Sequence, residues 1–127
     1  MANTHGRALI SLLAAYLPKR EYPAHSDAWQ DAFGELAEQF PAIFDCFEWS
    51  LPEGDLFYCR DLGEWLLLLR RGGVRYISEG PNDWFDFTDK WRNVQIVVYE
   101  AGVSSEMKDA LQRMALKLAE LLHSESA

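Results

Sequence analysis

The chain is expected to fold as a single α+β domain spanning residues 1–127, with two N-terminal helices and one C-terminal helix framing a mostly antiparallel meander of four to five strands. Three observations predict it. Apolar residues recur at helical spacing near both ends, at Leu9, Leu12, Leu13, Tyr16 and Leu17 and again at Met107, Leu111, Met114, Leu118 and Leu121. Between these ends the apolar positions either alternate or run on uninterrupted, as they do in half-buried and fully buried strands. The most apolar run, residues 65 to 78 (WLLLLRRGGVRYIS), is centred on Gly72 and Gly73, a pair able to take the positive φ that a two-residue hairpin turn requires.

Residues 5 to 17 read as a core helix ended by Pro18, which cannot donate to the preceding turn. Within it, Ala8 to Leu17 after Arg7 is apolar enough to resemble a signal-peptide core, but Pro18, Lys19 and Arg20 follow at once and no convincing small-x-small cleavage site follows closely, so a mature helix is expected. Residues 18 to 25, with two prolines, read as a connecting loop. Ser26 is placed to cap a second helix over residues 27 to 40, with Trp29, Phe33, Leu36 and Phe40 on one stripe and Pro41 beyond it. A hairpin is expected next, residues 44 to 51 against 56 to 60 about a turn at 52 to 55.

In the central hairpin Arg70 faces Arg75, and both faces of residues 65 to 69 are apolar, so this pair of strands belongs in the covered middle of the sheet. After a turn at Gly80, Pro81 and Asn82, residues 83 to 90 read as a short strand, and residues 94 to 100 (VQIVVYE) as a strand with two apolar faces. Ser104 or Ser105 caps the last helix, whose Met107 to Leu121 stripe suits either docking on the sheet or pairing with a second copy.

Charge narrows the function classes. The formal net charge is −8, which argues against a general nucleic-acid binder, since counterion release needs clustered Lys and Arg. The imbalance is local: residues 21 to 64 hold eleven acids and one base, Arg60. A sign asymmetry of this kind steers basic partners, although solubility alone also accounts for it. No run is long enough to span a membrane. His5, His25 and His123 are scattered, Cys46 and Cys59 are expected as reduced thiols of a cytoplasmic protein, and no nucleophile elbow, phosphate loop or dinucleotide fingerprint is present. Neither cofactor nor metal is expected, and the chain is read as a binding protein rather than an enzyme.

Two acidic stretches are the candidate partner-binding residues. Asp27, Asp31, Glu35 and Glu38 run down one side of the second helix with no Lys or Arg at the fourth position to relieve them, a repulsion of a few tenths of a kcal/mol per pair. Asp83, Trp84, Asp86 and Asp89 interleave acids with aromatic anchors, an arrangement that suits either an interface or an edge strand whose charges deter pairing. Arg70, Arg71 and Arg75 form a possible anion-binding or acid-pairing cluster. Small size, acidity and the absence of catalytic motifs resemble, in class alone, the immunity proteins that neutralise a toxin by occluding its basic active site. Two other readings share much of this signature: a dimeric secretion chaperone or adaptor for an effector, and a phage-encoded inhibitor of host defence. Monomer and homodimer are both compatible with the pattern.

Overall fold

The apolar stripe near the N-terminus closes into α1 (Thr4–Ala15), the element around which the others assemble: Leu9, Ile10, Leu12, Leu13 and Ala14 are all fully buried. The computed structural model describes residues 4–47, 49–50, 58–72, 74–79 and 82–125. Its further elements are β1 (Glu21–Pro23), α2 (Ser26–Leu36), α3 (Pro41–Phe44), β2 (Trp49–Ser50), β3 (Tyr58–Cys59), α4 (Arg60–Arg71), β4 (Arg75–Glu79), β5 (Asn82–Asp86), α5 (Asp89–Tyr99), a short 3-10 turn (Glu100–Gly102) and α6 (Ser105–Glu125).

The expected three helices around a four-to-five-stranded meander are overturned. Among the described residues there are six α-helices, a three-stranded antiparallel sheet of order β1-β5-β4 and a separate antiparallel pair, β2-β3. Residues 65 to 71, expected as half of a hairpin, belong to α4, which turns Leu62, Trp65, Leu66 and Leu69 inward while Leu67 and Leu68 stay exposed. Asp61 in its first turn and Arg70 and Arg71 in its last complement the helix dipole. Gly72, at φ +146°, stops the helix, so the glycine punctuates a helix end rather than a hairpin. Gly73 lies outside the described residues. The expected opposition of Arg70 and Arg75 is lost with the hairpin, and Arg75 is instead in register with Asp86.

Residues 94 to 100 are likewise helical, not a strand. Thr88 caps α5, its hydroxyl accepting from the Trp91 amide at 3.2 Å, and Asp89 sits in the first turn. That local start, together with docking on α1, outweighs the β-branched composition. The expected loop at 18 to 25 supplies β1, whose Pro23 occupies a sheet edge where its missing donor costs no ladder bond. β5 is consequently the middle strand, which corrects the reading of an edge. Of the second hairpin the described residues show the pairing of Trp49 with Cys59 and Ser50 with Tyr58, and residues 44 and 60 belong to helices; residues 48 and 51 to 57, its turn at 52 to 55 included, lie outside the described residues.

The terminal helices behave as the spacing predicts. α2 ends before Phe40, and its cap position falls on His25 rather than Ser26, which is the first helical residue. Ser104 does cap α6, accepting from the Met107 amide at 3.1 Å. α6 docks along α1, α2, α3 and β1 with Leu111, Met114 and Leu118 fully buried, so these residues are core and not an open pairing seam. Phe87 is the hub of the interior, with the rings of Tyr22, Trp29, Trp65, Phe85 and Trp91 centred 4.9 to 6.3 Å away. No helix among the described residues is long and apolar enough to cross a membrane.

Neither cysteine is in a disulfide. Cys59 is fully buried, and burial pushes its pKa up to about 12; Cys46 is partly exposed and raised less far, by burial and then by Asp45. The thiolate is the reactive species, so in native protein at pH 8 a thiol reagent is expected to label Cys46 and spare Cys59 until denaturant is added. Mass spectrometry of the labelled chain checks this; equal labelling of both would contradict the burial of Cys59.

Candidate functional site

α2 is built by two opposed stripes. Trp29, Gln30, Ala32, Phe33 and Leu36 face the interior, and each large group is held in place. The Trp29 indole donates to the Pro23 carbonyl at 2.7 Å, Phe33 meets Phe44 and Phe47 at 5.5 and 6.0 Å, and the Gln30 amide both donates to the Cys59 carbonyl at 2.9 Å and accepts from the Cys59 N–H at 2.8 Å. With the inner face locked against α4, α6 and β3, the outer face is fixed as well.

That outer face carries Asp27, Asp31 and Glu35, all exposed, and Glu38 continues the row in the turn that follows. Among the described residues none of the four carboxylates takes part in an ion pair or a side-chain hydrogen bond. The lysine that reaches the end of this row, Lys117, is bound to Gln39 at 2.7 Å. The result is a row of four acids in solvent with no fixed counter-charge, on a rigid helix of a chain with net charge −8. Such a row projects a field that raises encounter rates with a basic surface.

The second acidic stretch does not form one surface. Asp83 accepts a hydrogen bond from the Tyr76 hydroxyl, which helps push that phenol's pKa up, and Trp84 is half-buried in β5. Asp86 is buried beneath two arginines: Arg20 grips both its oxygens, at 3.1 and 3.0 Å, and Arg75 approaches at 3.5 Å. The alternation that sends Phe85 into the core places Asp86 on the other face of the sheet, where it ties β4 and the residue before β1 to the middle strand. Asp89 is exposed in the first turn of α5, near enough to Arg20 to interact with its charge.

Nor do the three arginines converge. Arg70 donates to the Ala24 carbonyl, Arg75 is committed to Asp86, and Arg71 lines a shallow cleft with Arg7, Glu64, Leu67 and Leu68. Among the described residues no group of three or more His, Cys, Asp or Glu side chains is disposed to hold a metal ion.

Sequence reasoning missed the exposed apolar residues. Val94, Val97 and Val98 on α5 are 48%, 80% and 60% exposed, and Leu67 and Leu68 on α4 are 60% and 46% exposed. All five read as buried strand positions. The available signal was the cap at Thr88-Asp89, which starts a helix and thereby separates 94, 97 and 98 from the inward 91, 95, 96 and 99. Comparison of the chain with protein-family models, with curated proteins and with solved structures finds no match in any of the three.

Proposed function

We propose that the chain is a protein-binding inhibitor of the immunity type, which presents the outer face of α2 to the basic active site of a toxin and occludes it. The supporting observation is the row Asp27, Asp31, Glu35 and Glu38: four carboxylates held in solvent with mutual repulsion and no answering cation among the described residues. A helix that needed only solubility gains nothing from that spacing, whereas a basic cleft supplies the missing counter-charge and relieves the repulsion on binding. Two cysteines outside any disulfide suit action in the cytoplasm.

The secretion-chaperone reading keeps one supporting observation, the exposed valines of α5, but loses the α6 stripe, which is internal. A phage-encoded inhibitor of host defence would use the same acidic face.

The test is protection. Cells expressing a toxin encoded beside this chain are expected to survive when the chain is co-produced. Asp31→Lys with Glu35→Lys is expected to lower the association rate about 10- to 100-fold and to remove most of its salt dependence. The same pair leaves folding unchanged or raises stability by a few tenths of a kcal/mol, because it turns the 27–31 and 35–38 contacts from repulsive to attractive while the 31–35 contact stays repulsive. Absence of protection, or protection and association rates indifferent to the charge reversal, would sink the proposal.

A further inference from the structure

The three-stranded sheet ends differently on its two sides. On one side β1 is sealed: Pro23 has no N–H to offer, its carbonyl accepts from the Trp29 indole at 2.7 Å, and α6 packs against the strand. On the other side β4 is open, and the ladder shows which of its groups are free. The Phe87 amide donates to the Arg20 carbonyl at 2.8 Å and the Ala24 amide to the Asp83 carbonyl at 2.9 Å, so residues 83, 85 and 87 turn their backbone groups towards β1 while 82, 84 and 86 turn theirs towards β4. The partners of these last three, residues 79, 77 and 75, are thereby satisfied. Tyr76 and Ser78 are left with N–H and C=O groups pointing away from the sheet, and no described residue bonds to them.

A row of unmet backbone groups is answered by an extended strand, and β4 is complementary to itself. A second β4 laid antiparallel about a two-fold axis through Ile77 sets Tyr76 of each copy against Ser78 of the other, so that outward groups meet outward groups and each such pair exchanges both bonds. The same register sets position 75 against position 79, an arginine against a glutamate, at both ends of the paired segment. Moving the axis by one residue sets position 75 against Ile77 or beyond the strand and loses that match. Arg75 has donors to spare: Arg20 already grips both oxygens of Asp86, and Arg75 stands off at 3.5 Å with its side chain 67% exposed. Charges on an edge strand deter pairing with unmatched strands; here their signs admit one register of the strand with itself.

We propose that the chain forms a homodimer by antiparallel pairing of β4 with β4 about a two-fold axis through Ile77, joining the two sheets into one of order β1-β5-β4-β4-β5-β1. Because β1 is sealed, association stops at two copies instead of running on into a fibre. One strand pair buries less than the roughly 800 Å² per partner of a standard interface, so the association is expected in the micromolar range or weaker. The dimer does not rest on the α2 reading, since α2 packs on α4, α6 and β3; it makes the protein bivalent in whatever α2 binds.

Sedimentation equilibrium of the full chain tests it, over about 1 µM to 1 mM. The mass is expected to climb from 14.6 kDa towards twice that value. Ser78→Pro removes an outward N–H and spares the ladder to β5, so it should keep the wild-type circular dichroism and weaken association at least about tenfold. Ser78→Ala, which keeps the amide, should associate as the wild type does. Ile77 stands opposite itself in a pair without hydrogen bonds, where Cα atoms lie about 4.5 Å apart, within reach of a disulfide. With Cys46→Ser in the background, Ile77→Cys is therefore expected to cross-link into a dimer on mild oxidation at least about tenfold faster than Val97→Cys, at an exposed position on α5. This comparison decides the matter where Ser78→Pro fails to fold. A wild-type chain that stays at 14.6 kDa throughout overturns the proposal. So does a dimer indifferent to a folded Ser78→Pro, or cross-linking no faster at position 77 than at 97. Loss of toxin protection with the dimer intact would touch only the α2 proposal.

Discussion

Phe87→Ala is expected to destabilise the fold by about 3–5 kcal/mol, more than any single surface change in the molecule. The ring is fully buried and packs against five others, so its removal leaves a void bordered by five separate elements: Tyr22 from β1, Trp29 from α2, Trp65 from α4, Phe85 from β5 and Trp91 from α5. Such a site collapses poorly, because each wall is anchored elsewhere. The Phe87 amide donates to the Arg20 carbonyl at 2.8 Å and its own carbonyl accepts from Arg92 at 2.9 Å, so the backbone cannot shift to fill the space. Urea unfolding should show a lower midpoint with an unchanged slope. A loss below about 1 kcal/mol would mean that the ring is not the hub described.

Gln30→Leu is expected to cost about 2–4 kcal/mol although it exchanges a polar for an apolar side chain of similar size at a buried position. The Gln30 amide acts as a strand would, giving one donor and one acceptor to the backbone of Cys59 in β3. Leucine fills the volume and satisfies neither group, leaving a buried N–H and a buried C=O without partners at roughly 1–3 kcal/mol each. Gln30→Glu should be no better, since it keeps the acceptor, loses the donor and buries a charge. Comparing the urea midpoints of the two variants with wild type checks the assignment; a Leu variant as stable as wild type would show that water or another group replaces the amide.

The helices at the two ends were legible because prolines and serines bound a clear 3.6-residue period: Pro18 after α1, Pro41 after α2, Ser104 before α6. The middle was not, for two physical reasons. Residues 65 to 69 are apolar on every side, which a buried strand and a helix share, and Gly72 marks a break without saying what breaks. The twelve-residue length of α4, with Asp61 at its start and two arginines at its end, was the discriminating signal. In α5 the β-branched run favoured a strand on intrinsic preference, and the cap at Thr88 together with the α1 surface decided otherwise. The acidic row on α2 was fully legible, since it needed only a helix. The fate of Asp86 was not: nothing in spacing reveals that Arg20, 66 residues away, would cover it.

α1 is covered by α4, α5 and α6, the last of which reaches back to it from more than 90 residues on, with Leu122 fully buried. The ring of His123 packs 4.9 Å from that of Tyr22, and Tyr16 donates to Glu100 at 2.8 Å, so the beginning and end of the chain are clasped together across the whole intervening length. Contacts of that sequence separation carry a large loop-closure cost, so they are expected to form late in folding. A chain cut before α6 is expected to lose its cooperative unfolding transition, because α1, α2, α3 and β1 would each keep an uncovered apolar face.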